Sequence, residues 1–226
     1  MSALIVAIDG PSGVGKTTVS KRVARRLSVP QIDTGAMYRA IAVAALRQNV
    51  PTSDAERLAS IADSSRIDFR GATDDAKVFL NDEDVSSEIR TPEISMMAST
   101  ISAIPAVRRT LVRLQQELGM RSGGVLEGRD IGTKVFPSTP HKFFLTAIPD
   151  ERARRRYLEL QARGVTQPLD SVLDEMNRRD QQDSGRADSP LTWDDTYEVI
   201  DTSALTIDEV VERIVGHVTA KVQANS

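Results

Sequence analysis

At 226 residues the chain is long enough for one well-cored domain, with room for a small insert but not for two typical enzymes. A formal net charge of −3 argues against a nucleic-acid polymer as partner, so the arginines have to be read locally. The chain has no cysteine, which excludes disulfides and thiolate chemistry, and no apolar run approaching the ~20 residues of a membrane span. These features fit a soluble cytoplasmic protein.

Leu4–Asp9 reads as a buried strand, and Gly10-Pro11-Ser12-Gly13-Val14-Gly15-Lys16-Thr17 follows it directly, fitting G-x-x-x-x-G-K-[ST] at every fixed position. That is a phosphate-binding loop. Its glycines let consecutive N–H groups point inward, the following helix offers its positive end, Lys16 adds a mobile cation and Thr17 a hydroxyl for Mg²⁺. The loop implies a nucleoside triphosphate and leaves a second substrate open.

Beyond the loop, a helix over Lys16–Leu27 is followed by a strand at Gln31–Asp33 and a helix over Ala36–Gln48. Asp33-Thr34-Gly35-Ala36-Met37-Tyr38-Arg39 would suit a helix N-terminus facing another phosphate, or would simply be an N-cap with Arg39 solvated. From Arg66 to about Pro92 the rhythm breaks into short alternating strands, Ile67–Phe69 and Lys77–Leu80, an inserted lobe or an ornamental ribbon. A helix over Val107–Met120 leads to a strand at Val125–Glu127, whose end carries Glu127-Gly128-Arg129-Asp130. In open α/β sheets ligands gather at such strand ends, although an internal Arg129–Asp130 pair is also open.

The last third holds strands at Lys142–Thr146 and Glu198–Asp201 and helices over Asp150–Arg163 and Leu169–Ser184. Arg152, Arg155, Arg156 and Arg163 share roughly one helical face, and Arg179, Asp183 and Arg186 follow at i, i+4, i+7. Each group could be a solvated charged face. Thr206 to Glu209 is a capping box opening an amphipathic helix, and the residues from Gln223 onward are expected to fray. Alternating strands and helices predict an α/β fold with a parallel sheet.

These motifs together resemble the nucleoside monophosphate kinases, and most closely the bacterial-type cytidylate kinases. The likeness runs through the phosphate loop, Asp33–Arg39, Val85–Thr91, Gly128–Thr133 with Val135-Phe136-Pro137, and Arg179–Arg186. Thr34 stands where the family often has Ser, and Thr18 where it has Gly or Ser. The resemblance implies one P-loop kinase domain over 1–226 with a parallel five-stranded sheet flanked by helices. It also implies a monophosphate-binding insert at about 62–105 and a mobile arginine lid at about 150–168.

The activity it implies is transfer of the γ-phosphoryl group of ATP, with Mg²⁺, to CMP or dCMP by a monomer. Residue by residue, Gly10 to Thr18 would hold ATP, with Thr17 on the metal, and Arg39 and Arg129 would clamp the acceptor phosphate beside Asp33 and Thr34. Ser99, Arg108, Asp130 and Arg186 would contact the base, and Arg179 and Asp183 the sugar. Lys16, Arg129, Arg152, Arg155 and Arg156 would stabilise the transferring charge. Two rivals are a kinase of the same architecture acting on thymidylate or shikimate, and a GTP-dependent switch. The switch reading rests on Asp68-Phe69-Arg70-Gly71 and on Asn177-Arg178-Arg179-Asp180.

Overall fold

A computed structural model describes residues 3–71, 76–186 and 188–224. Its centre is a five-stranded sheet of β1 (Ile5–Asp9), β2 (Gln31–Asp33), β6 (Gly124–Gly128), β7 (His141–Thr146) and β8 (Glu198–Asp201), in the order β2-β6-β1-β7-β8. Every neighbouring pair is parallel, with Ile5 opposite Gly124 and Val6 opposite His141. Val6, Ile8, Leu126, Phe143 and Leu145 are fully buried, as expected of strands covered on both faces. Parallel strands put all five carboxyl ends on one edge, and the polar clusters singled out in the sequence sit there or on the helices that follow.

Helices cover both faces. On one, α1 (Lys16–Leu27) packs with α8 (Ile207–Ala224) through Val19, Val23, Val211 and Ile214. The capping box forms as expected: Thr206 N–H donates to Glu209 Oε2 at 2.8 Å and Glu209 N–H to Thr206 Oγ1 at 3.3 Å. Helix α8 continues through Gln223 to Ala224, so those two residues do not fray, while Asn225 and Ser226 lie outside the described residues.

On the other face lie α2 (Thr34–Arg47), α3 (Ala55–Ser64), α4 (Pro92–Ile101) and α5 (Pro105–Ser122). Helix α2 starts two residues earlier than the periodicity suggests, because Asp33 rather than the following polar run caps it: its Oδ1 accepts the Ala36 N–H at 2.9 Å. The interrupted stretch is a second, antiparallel sheet of β3 (Ile67–Arg70), β4 (Lys77–Leu80) and β5 (Glu83–Asp84). Residues 72–75 of the turn read between its first two strands lie outside the described residues. Leu80, Ile89, Ile94 and Ile101 join this lobe to the buried face of α2, so it is part of the main core rather than an ornament.

Two helices of this lobe escape the periodicity. Helix α3 is ten residues with three buried, too short for its stripe to stand out. Helix α4 is bounded by Thr91, whose hydroxyl accepts the Ile94 N–H at 3.3 Å, and by Pro92 in its first turn. Helices α6 (Pro149–Ala162) and α7 (Leu169–Ser184) form a hairpin around a small core of their own, Ala153, Leu160, Val172 and Met176.

Candidate active site

The donor side is built from consecutive residues. Gly10, Gly13 and Gly15 all have positive φ, from 79 to 147°, which turns the loop so that its amides face inward. Helix α1 begins at Lys16 with no side chain capping its first amides, leaving them free for an anion. Lys16 is buried, and its ammonium donates to Pro11 O at 2.6 Å within the loop itself. Burial, and then the Arg129 guanidinium, pull its pKa below the usual lysine range. An incoming phosphate would relieve both effects.

Thr17 Oγ1 donates to Glu127 Oε2 at 3.0 Å, and Glu127 Oε1 accepts Gln31 Nε2–H at 2.8 Å. Burial, then the Asp33 carboxylate, push the Glu127 carboxyl upward. A buried carboxylate beside the loop hydroxyl is therefore short of positive charge. In sequence Gln31 reads only as a strand residue, and Glu127 as the first member of the cluster at the strand end, with no role of its own. Among the described residues no group of three or more His, Cys, Asp or Glu side chains is placed to hold a metal ion alone.

The acceptor side is assembled from several distant segments around one cleft of about 800 Å³. Arg39 Nη2 donates to Asp33 Oδ2 at 2.8 Å, so Arg39 is not a solvated residue on a capped helix. Thr34 Oγ1 donates to Glu127 O at 2.7 Å, tying the start of α2 to the end of β6. Arg129 and Asp130 do not pair with each other: Arg129 Nε donates to Asp183 Oδ2 at 2.8 Å, and Asp130 accepts from Arg108. Arg186 completes the row, reaching Asp183 and, at 2.7 Å, Ser102 Oγ. Burial alone would raise the Asp183 pKa, but Arg129, Arg186 and Arg179 together hold it below the usual carboxylate range.

Arg179 lies in the middle. Its Nε is buried with no hydrogen-bond partner, and its guanidinium faces Arg129, Asp183, Arg39 and Arg156. Burial first, then Arg129, push its pKa down to about 10. A half-buried guanidinium whose Nε has no acceptor, set among other cations on the cleft wall, is a site waiting for an anion.

The base-reading end has its own geometry. Arg108 is 3% exposed and donates to Ser102 O at 3.1 Å as well as to Asp130. Its guanidinium lies 5.8 Å from the Tyr38 ring centroid. Ser99 lines the cleft and donates to Gln182 Oε1 at 3.2 Å. Ser102 and Gln182 went unnoticed because neither belongs to a recognisable pattern.

The α6 arginines diverge. Arg152 is buried and used up within the fold, donating to Ala147 O at 3.2 Å and Ser12 O at 3.3 Å and pairing with Asp180. Arg155 faces away from the cleft: Nη2 donates to Thr202 O at 2.7 Å and Nε to Glu151 at 3.0 Å. Arg156 and Arg163 line the cleft, each paired with Glu159. Helical spacing placed the four on one broad face, and tertiary partners sort them into three environments. Asp68 and Gly71 stand on and beside a β-ribbon strand, and Asn177 to Asp180 lie inside α7 with Asp180 on Arg152, so neither G-protein-like fragment is free to read a guanine.

The cytidylate kinase family model matches residues 6–220. A cytidylate kinase of Syntrophotalea carbinolica is 49% identical over 220 residues, 97% of this chain and 94% of the relative. Another, from Caldanaerobacter subterraneus, is 49% identical over 209 residues, covering 92% of each chain. A solved structure of an uncharacterized protein from Eubacterium ventriosum superposes with a TM-score of 0.54 at 14% identity, over 96% of this chain and 99% of that one, which is a likeness of fold alone. On the family match and these identities, the chain belongs to the cytidylate kinase family.

Proposed function

We propose that this protein transfers the γ-phosphoryl group of ATP to CMP or dCMP, giving ADP and the corresponding diphosphate. The observation that carries the reading is Arg179, half-buried on the cleft wall with no hydrogen-bond acceptor for its buried Nε and flanked by Arg129, Arg39 and Arg156 beside the phosphate loop. Four guanidiniums beside the phosphate loop, three held by carboxylates and one unpaired, suit the phosphates of two nucleotides. The neighbouring Arg108–Asp130 pair suits cytosine: a carboxylate accepts the exocyclic amino hydrogen, while guanidiniums at 108 and 186 donate to the ring acceptors. Uracil presents a carbonyl to the same carboxylate, leaving both unpaired, and a site built on hydrogen bonds can reject such an analogue by about 10⁴-fold.

Phosphoryl transfer needs alignment and positive charge more than covalent help. In this reading the loop amides and Lys16 hold the β- and γ-phosphates. Arg39 and Arg129 aim the acceptor phosphate, and Arg179 and Arg156 meet the charge on the migrating group. Arg163 is the further α6 arginine able to join them, while Arg152 ties α6 to the phosphate loop through Ser12. Lys16 releases Pro11 O when a phosphate oxygen replaces it.

Mg²⁺ fits the donor side, since the Thr17 hydroxyl and the charge-hungry Glu127 carboxylate adjoin the loop that would present phosphate oxygens. When bound, the ion neutralises phosphate charge and orients the chain. Thr17 would hold it, with Glu127 beside it. The separate core of the α6–α7 hairpin, and the placement of β3–β5 with α4 across the cleft, support a lid over 150–168 and a monophosphate lobe over 62–105 that close on the substrates and exclude water. No helix among the described residues is long and apolar enough to cross a membrane. In this reading the protein works on small soluble nucleotides in the cytoplasm. A monomer suffices in this reading, because one chain supplies residues for both the donor and the acceptor side of the cleft.

A coupled ADP-release assay with CMP, dCMP, UMP, AMP, thymidylate and shikimate tests the reading. CMP and dCMP should give the highest kcat/KM. ADP release no faster with CMP than without an acceptor would overturn it.

A further inference from the structure

Asp9 ends β1 immediately before the phosphate loop and is completely buried. Its two oxygens receive three donors from two other parts of the chain. Ile131 N–H donates to Oδ1 and Gly132 N–H to Oδ2, both at 2.9 Å, and the Tyr197 hydroxyl donates to Oδ2 at 2.8 Å. Residues Ile131–Val135 form a single widened helical turn that directly follows Arg129 and Asp130. Asp130 stands at the N-cap of that turn, yet its carboxylate does not cap it, being held by Arg108 in the cleft. Asp9 supplies the missing cap from another strand. That substitution leaves Asp130 free to face the substrate.

Tyr197 belongs to the segment after α7, where Leu191 N–H donates to Asp183 O at 2.9 Å. The phenol therefore links the chain that carries Arg179, Asp183 and Arg186 to the same carboxylate. Space around the junction is tight: a Cβ on Gly132 would come within 2.5 Å of the Tyr197 oxygen and 3.0 Å of Lys142 Cδ. Three donors converging on two oxygens require a carboxylate, because an amide of the same shape keeps one acceptor and turns N–H groups against N–H groups.

We propose that Asp9 is a positioning residue for the phosphoryl transfer: with Tyr197 it fixes Arg129 and Asp130 relative to the phosphate loop while touching neither nucleotide. The inference rests on the proposed function, since it concerns how the acceptor is aligned on the donor. Burial pushes the Asp9 carboxyl up to about 6, against the pull of the Gly132 and Ile131 amides. Keeping a carboxylate there at neutral pH works against stability, which fits a group retained for alignment.

The test compares wild type, Asp9→Asn and Tyr197→Phe by steady-state kinetics with each nucleotide varied, calorimetric titration with CMP alone, and thermal melting. Asp9→Asn should lower kcat/KM for CMP by about 10²-fold, through both kcat and KM, while KM for ATP stays within about two-fold, since a displacement of order 1 Å costs that much in aligned chemistry. Tyr197→Phe keeps the ring and removes one donor, and should lower kcat/KM for CMP by about 3- to 10-fold with weaker CMP binding and the same ATP preference. Variants that melt earlier yet keep kcat/KM for CMP per folded molecule, or that raise KM for both nucleotides equally, would overturn the positioning role. If Asp9→Asn does not fold, an unchanged kcat/KM for CMP in Tyr197→Phe overturns it alone. A wild type without CMP-dependent ADP release would overturn the parent function and this inference with it; an active wild type with unchanged variants overturns only the inference.

Discussion

The donor and acceptor halves of the cleft are built in opposite ways. The donor half is a run of consecutive residues, Gly10 to Thr18, whose backbone does most of the binding and whose one long side chain, Lys16, already rests on the loop's own Pro11 carbonyl. The acceptor half has almost no local structure. Arg39, Arg108, Arg129, Arg179 and Arg186 arrive from α2, α5, the end of β6, α7 and the residues just past it, and most meet a carboxylate from a different element. A contiguous loop keeps its shape with its ligand absent, whereas dispersed cations need carboxylates to hold them until phosphate arrives. Asp33, Asp130 and Asp183 are those placeholders, so acceptor binding must rearrange ion pairs where donor binding mainly replaces one lysine contact.

The largest expected effect sits on the donor side. Lys16→Ala should lower kcat by about 10³-fold or more, comparable to losing a principal charge stabiliser of the transition state, while calorimetric CMP affinity changes little. A matching loss of CMP affinity would break the division into halves. Arg179→Ala comes next, with a fall in kcat/KM for CMP of about 10²- to 10³-fold. Its cleft-lining, unpaired state predicts that guanidine added to the assay restores part of the activity, and stability should rise rather than fall, because a repelled charge has been removed.

Arg156→Ala and Arg155→Ala sharpen the contrast within α6. Arg156 lines the cleft and its loss should lower kcat by about 10²-fold, whereas Arg155, tied to Thr202, should change kcat only a few-fold. Equal effects of the two on kcat would mean that α6 turns on closure far more than its present contacts suggest. Asp130→Asn tests the base end, where the preference for CMP over UMP should shrink by about 10- to 100-fold, read as the ratio of kcat/KM values.

The smallest effect is on stability. Burial raises the Asp9 carboxyl from its ordinary 3.8 to about 6, so its contribution to stability is fully present below about pH 4 and is lost as pH rises through 6. Asp9→Asn removes that dependence. Urea unfolding at pH 4 and pH 7 should show the difference between wild type and variant moving against wild type by up to about 3 kcal/mol as pH rises. No movement would mean that the carboxylate is not held against its burial.

The sequence by itself determined what depends on neighbours in the chain. The loop, the alternation that makes a parallel sheet, the Thr206–Glu209 box and the apolar stripe of α8 are short-range patterns, and each forms where it is read. Resemblance carried the reading to the acceptor residues, but not to how they are held. Only the tertiary structure decided that Arg129 pairs with Asp183 and not with its neighbour Asp130, that Arg152 is tied to the phosphate loop and Arg155 to Thr202 while Arg156 lines the cleft, and that Asp9 caps a turn more than a hundred residues on. The physical reason is that a charged side chain in a buried site is oriented by whichever opposite charge or donor the fold brings within about 3 Å, and such partners carry no signature in sequence spacing. Helices α3 and α4 were hidden for a related reason: short elements of the inserted lobe take their stability from packing on α2, not from a stripe long enough to read.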